Sequence, residues 1–180
     1  MGLMRKQVEE SLKDPETIQL AGKIVSGSYD WVEDPRTGRR VQVIEQWGKR
    51  FWAPDLQVCP PKDDACELAF FWTFLVQNMR YAYDPDSADL FRTLKQALVA
   101  GTEDCDGQTI AMCVLARAVG FTSCWARVIS TNGENWEHVF PIIGCPKDAP
   151  QIYIPLDMTV AGKPPGWQAD FATHQDFPMS

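Results

Sequence analysis

The sequence predicts an α+β fold in which a helical N-terminal part and a central buried helix pack on an antiparallel β-sheet. Helical patterns recur through the first hundred residues, a nearly apolar helical segment follows at 109–119, and three segments rich in β-branched and aromatic residues come next. Helices followed by strands are the order typical of α+β domains. The 180 residues are enough for one core, so we expect a single domain.

Residues 1–60 are predicted to form two short helices and an aromatic hairpin arm. Asp14 and Pro15 separate the helices, because aspartate caps a helix N-terminus and proline fits the first helical turn. Gly27 is predicted to end the second helix. Between residues 29 and 52, a turn at 35–38 predicts a hairpin that an irregular aromatic stretch follows. We expect its tryptophans to pack on the main body.

Two amphipathic helices are predicted next, at 64–80 and at about 87–99. In the first, apolar residues recur at intervals of three and four, and Asp64 with Glu67 resembles a capping pair. Its inward positions are Leu68, Phe71, Trp72, Leu75, Val76 and Met79. Those of the second helix, which Gly101 ends, are Leu90, Phe91, Leu94 and Leu98.

The segment at 109–119 is apolar on nearly all sides, which predicts a helix buried in the middle of the domain and ended by Gly120. Turn residues divide three predicted antiparallel strands at 121–130, 136–143 and 151–156. The tail at 161–180 has no periodicity, so we expect it to wrap the surface.

Charge and composition limit the partners. With 24 acidic and 17 basic residues the net charge is −7, which repels phosphate backbones and anionic lipids, so neither nucleic acid nor a membrane is expected. No apolar run approaches the ~18 to 20 residues of a membrane helix, and the first residues lack the apolar segment of a signal peptide. We therefore predict a cytoplasmic protein whose six cysteines are thiols. No metal or cofactor is predicted, since the chain has no Cys-x-x-Cys pair and only two histidines.

Cys105 is the candidate nucleophile. It stands at the first turn of the predicted buried helix, where free amide donors and the helix dipole favour a thiolate. The acidic neighbours Glu103, Asp104 and Asp106 oppose the thiolate, so a cationic partner is needed.

His138 is the candidate partner of Cys105. Alternation along its strand sets it on the same face as Trp136 and Phe140, from which an imidazole can reach a helix packed on the sheet. Asp157 ends the next strand and could orient the ring, which completes the order Cys, His, Asp. The other histidine, His174, lies in the tail and is the less favoured base.

Four segments of the chain resemble a known family. They are Asp-Cys-Asp-Gly-Gln at 104–108, Trp-Glu-His-Val-Phe at 136–140, Pro-Leu-Asp-Met-Thr at 155–159 and Asn-Met-Arg-Tyr-Ala-Tyr-Asp-Pro at 78–85. The first three are similar to the transglutaminase-like core of the papain-like cysteine enzymes, over about residues 64–160. The fourth is similar to the stretch before the nucleophile in transglutaminase-like proteins of bacteria and tailed phages.

The resemblance implies a papain-like core with Cys105 as nucleophile, His138 as general acid and base, and Asp157 as the orienting residue. Family members include protein crosslinkers, peptidases and amidases, and some have lost activity. We therefore predict acyl transfer from amide bonds of a peptide or protein through a thioester, with hydrolysis favoured over crosslinking. Two positions depart from the family: Glu103, where many relatives have glycine, and Gly107, where a second acidic residue is frequent.

The sequence leaves open one alternative function and the identity of one oxyanion donor. The chain could be a structural or assembly protein that retains the fold without catalysis, such as a phage virion component. Besides a peptide or protein substrate, a phage particle or a host cell-wall component is a possible partner. For an enzyme, the Cys105 N–H is one expected oxyanion donor. Candidates for the second donor are Tyr81, Tyr83 and Gln77.

Overall fold

The computed structural model describes residues 1–56, 59–60, 62–84 and 90–179. Within these ranges, five helices and nine strands in three sheets form an α+β fold, which confirms the predicted fold class. The helices are α1 (Gly2–Leu12), α2 (Pro15–Ser26), α3 (Asp64–Asn78), α4 (Leu94–Ala100) and α5 (Cys105–Ala118). The strands are β1 (Asp30–Glu33), β2 (Arg40–Gln46), β3 (Lys49–Trp52), β4 (Arg80–Tyr81), β5 (Thr102–Glu103), β6 (Cys124–Ser130), β7 (His138–Cys145), β8 (Ile152–Pro155) and β9 (Thr173–Pro178).

The central helix α5 is buried as predicted. Every residue from Gly107 to Ala116 is buried, with the other four helices packed around α5 and the sheet strands β6 and β7 against it. One large apolar cluster joins these elements. The candidate nucleophile Cys105 is therefore the first residue of the most enclosed element of the fold.

The sheet against α5 is antiparallel, with the strand order β8-β7-β6-β9. The three predicted strands β6, β7 and β8 are confirmed. In the tail, residues 173–178 form a further strand that the sequence did not predict: β9 pairs with β6, and an Arg127–Asp176 ion pair at 2.8 Å joins the two strands. Nearly all of β9 is exposed, so its sequence carries no apolar alternation that could have indicated a strand.

The N-terminal helices end where the sequence predicts. The Asp14 side chain accepts a hydrogen bond from the N–H of Glu16, and Gly27 ends α2 with a φ of 69°. The hairpin β1–β2 is also confirmed. The predicted irregular stretch is instead the third strand β3, which follows a turn at Trp47 and Gly48 where both φ angles are positive. A tryptophan is unusual in that conformation, so the turn gave no signal in the sequence.

The sequence predicts that the tryptophans of the arm pack on the main body, but only some of them do. Trp47 contacts the large apolar cluster. Trp31 and Trp52 are exposed, and the guanidinium of Arg40 lies 5.3 Å from the ring centroid of Trp31. The arm therefore presents two aromatic side chains to solvent.

The helix α3 is confirmed but its predicted cap was wrong. The Asp63 side chain accepts the N–H of Cys66 at 2.9 Å, which makes Asp63 the cap. Asp64 and Glu67 instead form ion pairs with Lys147. Sequence spacing cannot separate these roles, because Lys147 lies far along the chain.

The next helix, α4, is shorter than predicted. It begins at Leu94 behind a capping box that Thr93 and Gln96 form, so Leu90 and Phe91 precede it rather than forming its apolar face. The part of the predicted 87–99 helix at 87–89 lies outside the described residues.

Cys59 and Cys66 form a disulfide, so the prediction of six thiols was wrong for these two residues. The other four cysteines are free. The prediction relied on the redox state of a cytoplasm, and the sequence does not indicate that Cys59 lies against the first turn of α3. In the described part of the chain, no helix combines the length and the apolar character that crossing a bilayer requires.

Candidate active site

The position of Cys105 follows from the strand and the cap that precede it. β5 leads into α5 and pairs in parallel with β4, in a register that places Tyr81 beside Glu103. The Asp104 side chain then accepts the N–H of Gly107 at 3.0 Å and caps α5. Cys105 follows the cap directly and is half-buried at the start of the helix.

The three predicted site residues come together. The Nε2 atom of His138 lies 2.8 Å from Oδ2 of Asp157, and the side chain of Cys105 lies close enough to the same ring to raise its pKa. The Asp157 side chain is fully buried, whereas the His138 side chain is 20% exposed. A sulfur, an imidazole and a carboxylate thus form a connected series that opens to solvent on one side.

The sheet register explains why Asp157 reaches His138. β7 and β8 pair Ile142 with Pro155, and the N–H of Leu156 continues the ladder by donating to the carbonyl of Pro141. One residue further, Asp157 is level with Phe140 and diagonal to His138. Diagonal neighbours on adjacent strands are within reach of long side chains.

The Asp157 carboxylate is held by several donors. Its Oδ1 atom accepts hydrogen bonds from the N–H of Thr159 at 3.0 Å and from the hydroxyl of Thr159 at 2.7 Å. The Trp72 indole donates to the backbone carbonyl of Asp157 at 3.3 Å. Burial alone would raise the pKa of Asp157, but the hydrogen bonds from His138 and Thr159 outweigh burial and lower it. The acid therefore stays ionised behind the ring.

The imidazole is tuned in the opposite direction. Burial lowers the pKa of His138, but the hydrogen bonds and charges of Asp157 and Cys105 outweigh this effect and raise the pKa to about 9. Because Nε2 faces Asp157, the nitrogen left for Cys105 is Nδ1. At neutral pH the ring carries a proton that it can deliver on the side of the sulfur.

Of the two residues expected to share a face with His138, only Phe140 lies beside it on β7. The ring centroids of His138 and Phe140 are 5.7 Å apart, so these two residues do share a side of β7. Trp136, however, is exposed and precedes the strand. The β7 side chains that belong to the large core cluster are those of Val139 and Ile143, so His138 reaches α5 from the start of the strand.

The other histidine does not join the site. His174 lies in β9, level with His138 but with β6 between them. Its ring packs on Phe171, and its Nε2 atom is 3.9 Å from Asp176. This arrangement separates the two imidazoles and leaves His138 as the ring beside Cys105.

A second buried acid, which sequence reasoning did not place, lies beside the nucleophile. The Glu103 side chain is fully buried and forms a 2.9 Å ion pair with Nη1 of Arg92. Burial raises the pKa of Glu103, and Arg92 offsets only part of this effect. The pairing carries no signal in the sequence, because Arg92 precedes α4 and Glu103 follows it.

The side chain of Glu103 occupies the space directly beside Gly107. A Cβ atom at Gly107 would overlap the Glu103 carboxyl, and it would stand 2.7 Å from Cδ of Glu103. The buried acid therefore fills the space that a side chain at position 107 would need. The buried acid at position 103 and the glycine at position 107 are therefore sterically linked.

Comparison of the chain with models of known protein families and with curated protein sequences gives no match. Over the ranges that the structure describes, no group of three histidine, cysteine, aspartate or glutamate side chains has an arrangement that could hold a metal ion. The site offers chemistry through its own sulfur, imidazole and carboxylate.

Proposed function

We propose that this protein is a cysteine-dependent enzyme that transfers acyl groups from amide bonds of peptides or proteins. The observation that supports this function is the contact of one imidazole with both the Cys105 side chain and the buried Asp157. The proposal includes a papain-like, transglutaminase-like core at 64–160, in agreement with the resemblance of its segments. It also assigns Cys105, His138 and Asp157 as the catalytic residues.

The first step forms a thioester. The thiolate of Cys105 attacks the amide carbonyl carbon, and the carbonyl electrons move to oxygen. The C–N bond then breaks as the carbonyl re-forms, and the leaving nitrogen takes the proton of the His138 imidazolium. Water, or another amine, afterwards displaces the sulfur and returns the proton to His138.

Asp157 acts as a positioning residue in this scheme. Its carboxylate holds the His138 ring through Nε2 and stabilises the imidazolium, so that Nδ1 faces the reacting atoms. The raised pKa of His138, about 9, means that the proton needed by the leaving nitrogen is already present at neutral pH. Hydrolysis, as in a peptidase or amidase, is favoured over crosslinking.

Peptide turnover in the presence of a primary amine tests the proposal. We expect mass spectrometry to detect cleaved or deamidated peptides with the native protein and none with Cys105→Ala. Incorporation of the amine would instead make the protein a transamidase. If neither product depends on Cys105, the enzymatic assignment is wrong.

A second candidate function is a structural or assembly role, for example in a phage particle, with the fold retained and catalysis lost. The exposed Trp31 and Trp52 on the hairpin arm favour it, because exposed aromatic side chains often mark protein contacts. The Cys59–Cys66 disulfide argues against a reducing cytoplasm as the location of the protein, because such bonds are rare there. This role predicts particle assembly that survives Cys105→Ala and fails when both tryptophans become serine.

A further inference from the structure

The geometry points to Tyr81 as the second hydrogen-bond donor to the oxyanion, opposite the backbone N–H of Cys105. This inference rests on the acyl transfer proposed above and adds a catalytic residue to it. During attack on the carbonyl, the negative charge that develops on oxygen needs donors at about 2.7 to 3.1 Å. One donor from the helix and one from a neighbouring strand would meet that need from two sides.

The backbone holds Tyr81 next to the nucleophile. The N–H of Arg80 donates to the carbonyl of Gly101, and the N–H of Ala82 donates to the carbonyl of Glu103, both at 3.0 Å. These bonds fix Tyr81 on both sides, in register with Glu103 and one strand spacing away, which is about 4.8 Å. Cys105 follows Glu103 by two residues, so β4 holds the backbone of Tyr81 close to the start of α5.

The phenol of Tyr81 is oriented and remains a donor. Its ring stands edge-on to the ring of Tyr83, with the ring centroids 5.2 Å apart. Burial and, next, the charge of the nearby Cys105 sulfur raise the pKa of Tyr81 above its usual value. The hydroxyl therefore keeps its proton beside the sulfur, while the side chain, 38% exposed, is open to a substrate.

The helix supplies the opposite donor. The first amides of a helix have no intrahelical acceptor, and the Asp104 cap is occupied by the N–H of Gly107. The N–H of Cys105 is thus available to the acyl oxygen. An uncharged phenol complements it, because a hydroxyl gains most from an acceptor that becomes charged in the transition state.

The other two candidates from the sequence lie in less suitable places. Tyr83 is 85% exposed and supports the ring of Tyr81 from outside. Gln77 is exposed near the end of α3 and lines a groove that Trp31 and Trp52 also line, on the side of the hairpin arm. Tyr81, by contrast, pairs with the strand that leads into α5, and its phenol is near enough to Cys105 for the sulfur to raise its pKa.

Two small reagents separate stabilisation of the oxyanion from reactivity of the thiol. Iodoacetamide alkylates sulfur by substitution at a saturated carbon, so no oxyanion forms. p-Nitrophenyl acetate acylates sulfur through an oxyanion and releases p-nitrophenolate. Rates of both reactions at Cys105, followed by intact mass, would be compared for the native protein, Tyr81→Phe and the matched control Tyr83→Phe.

We expect Tyr81→Phe to slow acylation of Cys105 about 100-fold while alkylation stays unchanged. Tyr83→Phe should leave alkylation unchanged and slow acylation far less. Equal loss of both reactions in Tyr81→Phe, or no loss of acylation, would overturn the donor role of Tyr81. A native Cys105 that reacts with neither reagent faster than the free thiols of the denatured chain would overturn the proposed function itself.

Discussion

Two fully buried carboxylates lie near Cys105, and they differ in how completely they are hydrogen-bonded. Asp157 receives hydrogen bonds from His138 and from both the N–H and the hydroxyl of Thr159. Glu103 is paired with Arg92 alone, and its Oε2 atom has no hydrogen-bond partner among the residues that the structure describes. The pKa of Asp157 is accordingly lowered, whereas the pKa of Glu103 is raised.

The contrast shows that burial alone does not decide the charge of an acid. Burial acts on both carboxyls in the same direction, and the number of donors decides the net result. Asp157 is built to stay ionised against the imidazolium of His138. Glu103 fills space beside α5, and among the described residues only one of its two carboxyl oxygens has a hydrogen-bond partner. We therefore expect the two acids to contribute to activity and to stability in different ways.

The largest expected effect separates the two acids by activity. Asp157→Asn removes the charge that stabilises the imidazolium, so the rate of acyl transfer should fall about 100- to 10,000-fold. Glu103→Gln keeps the shape of its side chain and should leave the rate within the same order of magnitude. Steady-state assays of both variants provide the measurement, with circular dichroism as the check on folding. A larger loss in Glu103→Gln than in Asp157→Asn would reverse the roles given to the two acids.

The pH dependence sharpens the same contrast. The folded pKa of His138, about 9, exceeds its ordinary value of about 6.5, so the stability that the protonated ring contributes is complete below about pH 6.5 and is lost as pH rises through 9. Activity that needs the imidazolium should decline over the same pH range, which forms the alkaline limb of the rate profile. In Asp157→Asn this limb should move to lower pH, whereas Glu103→Gln should leave it in place. Rate profiles and denaturant unfolding between pH 6 and 10 measure both quantities, and an unmoved limb in Asp157→Asn would contradict the account.

A smaller effect tests the steric role of Glu103. Gly107→Ala should lower the free energy of unfolding by about 1 to 3 kcal/mol, because the new methyl group overlaps the buried carboxyl. In a Glu103→Ala background the same change should be neutral or favourable, since alanine is the better residue within a helix. Urea unfolding of the four proteins in this cycle gives the coupling energy. Additive effects would show that Glu103 and Gly107 are independent.

The parts of the fold that the sequence predicts are those with a distinctive composition. The apolar helix α5 and the strands β6 and β7, which are rich in β-branched and aromatic residues, follow from their own residues, and the connections between them are short enough to bring Cys105, His138 and Asp157 into one neighbourhood. The structure joins His138 to Asp157 by a hydrogen bond and places Cys105 near the same ring. Their catalytic roles stay predictions until the rates are measured.

What the sequence does not reveal depends on contacts between distant residues. β4 and β5 have two residues each, too few for any period, yet their pairing positions Tyr81. The ion pair of Arg92 with Glu103 spans α4, and the exposed strand β9 lacks an apolar face. Such features follow from packing around α5 rather than from local pattern.

Alkylation of Cys105 by iodoacetamide near pH 7, with and without the imidazole, tests the central claim most directly. His138→Ala leaves the sulfur in place and opens space around it, so exposure alone would make the thiol react as fast or faster. We predict instead that the rate at Cys105 falls at least about tenfold in His138→Ala, because the cation that stabilises the thiolate is gone. An equal or faster rate in the variant would show that His138 does not activate the sulfur and would contradict the enzyme proposed here.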